Sequence, residues 1–64
     1  MKGQTVELAC VRKYETDNAV LIHDFASEED VWIPLSQVEE MHFDAKGEGT
    51  IVITQWIAKT KGLV

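Results

Sequence analysis

The chain has 64 residues, 45% of them hydrophobic, and eleven Asp or Glu against six Lys or Arg give it a formal charge of −5. That is a single domain over residues 1–64, too apolar for a disordered chain and so short that folding hides only about 60% of its surface. No apolar run approaches the ~18 residues of a membrane span, none follows Met1 as in a signal peptide, and one cysteine makes no internal disulfide. The expected setting is a reducing, cytoplasmic one.

The charge is uneven. Ten acidic residues between Glu15 and Glu48 face one base, Lys46, a balance of −9. The flanking stretches carry Lys2, Arg12, Lys13, Lys59 and Lys61 against Glu7, a balance of +4. Such a middle repels phosphate backbones and attracts basic surfaces.

The first strand is expected over 5–14. Val6, Leu8, Cys10, Arg12 and Tyr14 share one face, although alternation becomes mixed beyond Cys10. Glu15-Thr16-Asp17-Asn18 is a turn, since Asp and Asn bond their own backbone. A second strand follows over 19–25, with Ala19, Leu21, His23 and Phe25 on one side and Val20, Ile22 and Asp24 on the other. Together they read as a long hairpin.

A polar connection over 26–30 leads to a short third strand, 31–33. Pro34, the only proline, ends it or places it at an edge. Leu35-Ser36-Gln37 fits one tight helical turn, and a fourth strand resumes over 38–43. Its faces read as Glu39, Met41 and Phe43 against Val38, Glu40 and His42. A short helix over 36–41, capped by Ser36 with Glu39 three residues on, competes with it.

Asp44-Ala45-Lys46-Gly47-Glu48-Gly49 is the strongest turn signal. Residues 50–53 are β-branched throughout, as a buried strand requires. Thr54 then caps a helix over 55–61, with Lys59 and Lys61 in its last turn, Gly62 as a left-handed stop and Leu63 folding back. The class is therefore mostly β: a small, strongly bent antiparallel sheet, or an SH3-like or OB-like barrel of about five strands, with a short C-terminal helix.

The residues offer little catalytic chemistry. His23-Asp24 and His42-x-Asp44 have metal-ligand types, but side chains two apart on a strand are about 7 Å apart, so no metal or other cofactor is expected. Cys10 alternates with Val6 and Leu8 and reads as a buried hydrophobe. Ser36 lacks a nucleophile-elbow context, and Gly47-Glu48-Gly49 is too short and of the wrong sign to cradle phosphate. Trp32 and Trp56 read first as core anchors and second as exposed interface anchors. Tyr14 and Phe25 would suit base stacking, but only Arg12 and Lys13 lie near them, so direct nucleic-acid binding is not expected.

Two stretches carry a resemblance. Trp32-Ile33-Pro34-Leu35-Ser36-Gln37-Val38 and Ile53-Thr54-Gln55-Trp56-Ile57-Ala58-Lys59-Thr60-Lys61-Gly62-Leu63 resemble a family of small uncharacterised proteins of bacteriophages and mobile regions of bacterial genomes. Trp32, Pro34, Ser36 and Gln37 match its middle motif, and Trp56, Ala58, Lys61, Gly62 and Leu63 its ending. Leu35 stands where the family more often has a basic residue. The resemblance implies fold and origin, and it assigns no activity to any residue.

The expected function is non-enzymatic binding. The first expectation is a phage or mobile-element inhibitor of host defence, of anti-CRISPR type, in a bacterial host cell. It would dock Glu28, Glu29, Asp30, Glu39 and Glu40 on a basic nucleic-acid-handling protein, with Trp32 or Trp56 at the interface. The second is an oligomeric sponge for an anionic cyclic nucleotide, using Arg12, Lys13, Lys59 and Lys61. A single-strand-binding or structural phage accessory protein is the third.

Overall fold

The computed structural model describes residues 3–64. Met1 and Lys2 lie outside the described residues, and with them Lys2's part in the charge pattern and the reading of the first residues as no signal peptide. Five antiparallel strands form one unclosed sheet: β1 (Thr5–Glu15), β2 (Ala19–Asp24), β3 (Glu29–Pro34), β4 (Val38–Phe43) and β5 (Glu48–Thr54), in the order β3-β2-β1-β5-β4. A 3-10 turn (Leu35–Gln37) joins β3 to β4, and a short helix, α1 (Gln55–Thr60), follows β5.

This connectivity forces the sheet to coil. Ile33 pairs with Val20 and Val20 with Glu15, while Val38 pairs with Ile53 and Ile53 with Val6. In a flat sheet Ile33 and Val38 would stand about 35 Å apart. The short link between them reaches at most about 18 Å. The two edge strands must therefore curl toward one another around a common interior.

That interior is filled by Leu8, Cys10, Val20, Ile22, Val31, Ile33, Ile51 and Ile53, with Ile57, Ala58 and Leu63 of the C-terminal segment packed against them. Val6, Leu35, Val38, Met41 and Phe43 line its margin. The helix terminus follows the sequence reading. Thr54 Oγ1 accepts the Ile57 N–H, Gly62 takes φ 73°, and the buried Leu63 donates its N–H to the Ala58 carbonyl.

Two β-bulges change which side chains share a face. Register shifts between Arg12 and Tyr14, so Lys13 is the extra residue and Tyr14 pairs with Leu21, on the face opposite Cys10 and Arg12. It shifts again between Val38 and Glu40, a bulge at Glu39 that puts Val38 with Met41 and Phe43. The uninterrupted alternation expected for both strands is corrected at those points. The competing helix over 36–41 is replaced by the 3-10 turn and β4. β3 also begins earlier than expected, at Glu29, because an edge strand tolerates exposed acidic residues.

The turns rest on side chains as well as glycines. Thr16, more than Asp17 or Asn18, organises the β1–β2 turn: its Oγ1 accepts the Ala19 N–H at 3.1 Å and donates to the Ala19 carbonyl. Asp44 Oδ1 accepts the Lys46 and Glu48 N–H groups at 2.8 and 3.1 Å. Gly49 has no room for a side chain, since a Cβ there would sit 1.8 Å from the His42 carbonyl oxygen.

Candidate functional site: an exposed aromatic face beside an acidic turn

Residues paired directly across strands point to the same face of a sheet. On the outer surface this gives two rows: Tyr14, Leu21 and Trp32, then Val11, His23 and Asp30. Phe25 lies just beyond, its N–H donated to the Ala9 carbonyl. Tyr14 is 62% exposed, Phe25 47% and Trp32 43%. The Tyr14 and Trp32 rings meet edge to face, as do those of His23 and Phe25. Three large apolar side chains thus stand in solvent on one curved wall, where the core needs none of them. The reading of both tryptophans as core anchors is corrected, because Trp56 is also exposed, at 65%. Aliphatic residues and Cys10 fill the interior, and Phe43 packs only at its margin.

The β2–β3 turn borders this wall with acid. Its shape depends on Asp24, whose Oδ2 accepts the Ser27 N–H at 3.0 Å and whose carbonyl accepts the Glu28 N–H at 2.7 Å. Glu28 there takes φ 58°, a left-handed conformation rare for a non-glycine residue. Glu28, Glu29 and Asp30 are all exposed. Asp30 Oδ1 lies 2.8 Å from His23 Nδ1, which ties this carboxylate to the aromatic wall.

The other acidic pair, Glu39 and Glu40, lies at the start of β4, the opposite edge strand. Glu40 belongs to the row Glu7, Val52 and Glu40, and its Oε1 is 3.1 Å from His42 Nε2. The expected acidic face is thus carried on two different edges, and the aromatic residues adjoin the first of them.

The cations are divided as well. Arg12 and Lys13 stand at the bulge toward the end of β1, with the Arg12 guanidinium 5.5 Å from the Phe43 ring centroid and 3.8 Å from Glu15. Lys59 and Lys61 are on and just after α1, which packs near the start of β1. One chain does not gather the four into one anion site.

Cys10 is fully buried, and burial, followed by the nearby Asp24 charge, pushes its thiol up to about 11. A thiol held protonated is a poor nucleophile. Asp24 is itself buried, with Oδ1 lacking a hydrogen-bond partner among the described residues. No three metal-ligating side chains converge among the described residues, and no helix is long and apolar enough to cross a membrane.

Comparison of the chain with protein-family models, with curated proteins and with solved structures returns no significant match.

The sequence signal for the aromatic face lies in Tyr14, Phe25 and Trp32 as residues, but their meeting depends on the bulge at Lys13. The loss of alternation beyond Cys10 was its visible trace.

Proposed function

We propose that this protein is a non-enzymatic binding module that docks the Tyr14–Trp32–Phe25 wall and the adjoining Glu28, Glu29 and Asp30 turn onto a basic surface of another protein. The observation that carries the reading is the position of exposed aromatic rings directly beside an acidic turn. Aromatic anchors supply affinity at the centre of an interface, and charge at its rim steers the partner and speeds encounter. The charge balance of −9 over the middle of the chain favours a basic, nucleic-acid-handling protein whose cations the carboxylates would occupy in place of nucleic acid. An inhibitor carried by a phage or mobile element and directed at a host defence protein fits that chemistry. Glu39 and Glu40, on the other edge, extend the negative field without joining the central contact.

The test compares capture of basic proteins from a bacterial lysate by the wild type, by Trp32→Ala and by Glu28→Lys/Glu29→Lys/Asp30→Lys. The reading expects a basic partner that the wild type retains, that rising salt releases, and that both variants lose. Equal retention by all three proteins, or capture indifferent to salt, overturns it.

A further inference from the structure

A second feature lies apart from the aromatic wall, where the start of β1, the end of the 3-10 turn and α1 meet. A groove of about 590 Å³ is lined by Gly3, Gln4, Gln37, Thr54, Gln55, Trp56 and Lys59. Small-molecule sites commonly measure about 300–1,000 Å³. The lining combines a flat indole, three primary amides and one cation. None of the chain's eleven carboxylates is among these residues.

The amides are partly organised. Thr54 Oγ1 donates to Gln37 Oε1 at 2.7 Å and also accepts the Ile57 N–H, so the hydroxyl is held at both ends. Gln37 is thereby oriented, and its NH₂ group makes no hydrogen bond to another of the described residues. The side-chain amides of Gln4 and Gln55 make no recorded hydrogen bond among the described residues, and the Gln55 N–H to Gln4 carbonyl bond at 2.8 Å holds their backbones together. The Trp56 ring has no recorded aromatic partner there either.

We propose that this groove binds a purine mononucleotide, with the base on Trp56, its edge read by the glutamine amides and its phosphate paired with Lys59. An amide offers a donor and an acceptor side by side, the pattern that pairs with the adenine edge, and an indole face stacks on any base. A cation with no carboxylate beside it among the groove's described lining residues suits a phosphate better than a neutral sugar. The site lies within one chain and includes Lys59 but not Arg12, Lys13 or Lys61.

The experiment titrates the full chain with adenosine 5′-monophosphate, adenosine, inorganic phosphate and maltotriose. It follows the glutamine side-chain NH₂ and tryptophan indole signals by NMR. A Trp32→Phe background leaves Trp56 as the only indole, and thermal melts confirm that each variant is folded. Saturable shifts of the Trp56 indole and Gln37 amide with the nucleotide are expected. Trp56→Ala, at an exposed position, should weaken nucleotide and nucleoside alike by about tenfold. Lys59→Met should weaken the nucleotide about fivefold and leave adenosine unchanged. No saturable shift at ~10 mM nucleotide, about the weakest affinity that such a set of contacts would give, overturns the proposal. So does tighter binding of maltotriose, or an equal effect of Lys59→Met on nucleotide and nucleoside. The Trp32→Ala and charge-reversal variants leave this groove intact, so failure here and failure of the docking face are separate results.

Discussion

The Tyr14 ring meets the Trp32 ring edge-on across the intervening β2 strand, with centroids 6.3 Å apart and planes at 85°. Both are exposed, so they add little to the core and hold each other in place on the surface. Replacing either by Ala is expected to cost less stability than a core truncation. A double-mutant cycle should show coupling of about 0.5–1.5 kcal/mol, read by chemical denaturation. Coupling near zero would mean that the two rings do not constrain one another.

Cys10 makes the stability depend on pH at the alkaline end. Its thiol is raised from 9.0 to about 11 in the folded chain. The sign follows from which state loses its proton first. Below about pH 9 both states are protonated and the contribution is fully present. Above it the unfolded chain ionises first, and stability falls by about 3 kcal/mol as pH rises through 11. Cys10→Ala should be less stable at neutral pH and lack this part of the decline. The same burial predicts that a thiol reagent labels Cys10 only after unfolding.

Gly49 is required by proximity, since a Cβ would collide with the His42 carbonyl across the β4–β5 ladder. Gly49→Ala is expected to cost about 3 kcal/mol or more, a size typical of steric conflict at a backbone site. Hydrogen exchange should show the loss of protection concentrated in β4 and β5. A neutral result would require the two strands to separate at no cost.

Thr54 serves both the fold and the groove, because one hydroxyl caps α1 and orients Gln37. Thr54→Val keeps the shape and removes both bonds. A stability loss of about 1–2 kcal/mol is expected by thermal or chemical unfolding. Thr54→Ser should recover most of it. If Val and Ser variants are equally stable, the cap contributes nothing.

Much of the fold was legible because its signals are local. The β-branched run around Ile51 and Ile53 and the Thr54, Gly62 and Leu63 terminus each have one physical reading, which the structure follows, and Pro34 has two, a strand end or an edge, both of which hold for β3. The bulges were not legible as such. A bulge needs only an extra residue that tolerates exposure, and Lys13 and Glu39 look like any other polar positions. Without the first bulge Tyr14 stays on the face of Cys10, so the aromatic wall was hidden even though its residues were known. The exposure of Trp32 and Trp56 depends on how little volume the coiled sheet encloses, which no single stretch records. Glu28, Glu29 and Asp30 were visible as charge, but the His23 contact that ties Asp30 to the aromatic face comes from pairing between strands.

The central strand, β1, pairs along one side with β2 and along the other with β5, so that Thr5 faces Thr54. During synthesis the first hairpin can form early, but the opposite flank of β1 waits until the last strand has left the ribosome. A chain cut short before β5 would present Leu8 and Cys10 along an open, sticky margin. Premature termination should therefore yield aggregates or degradation products rather than a smaller working protein.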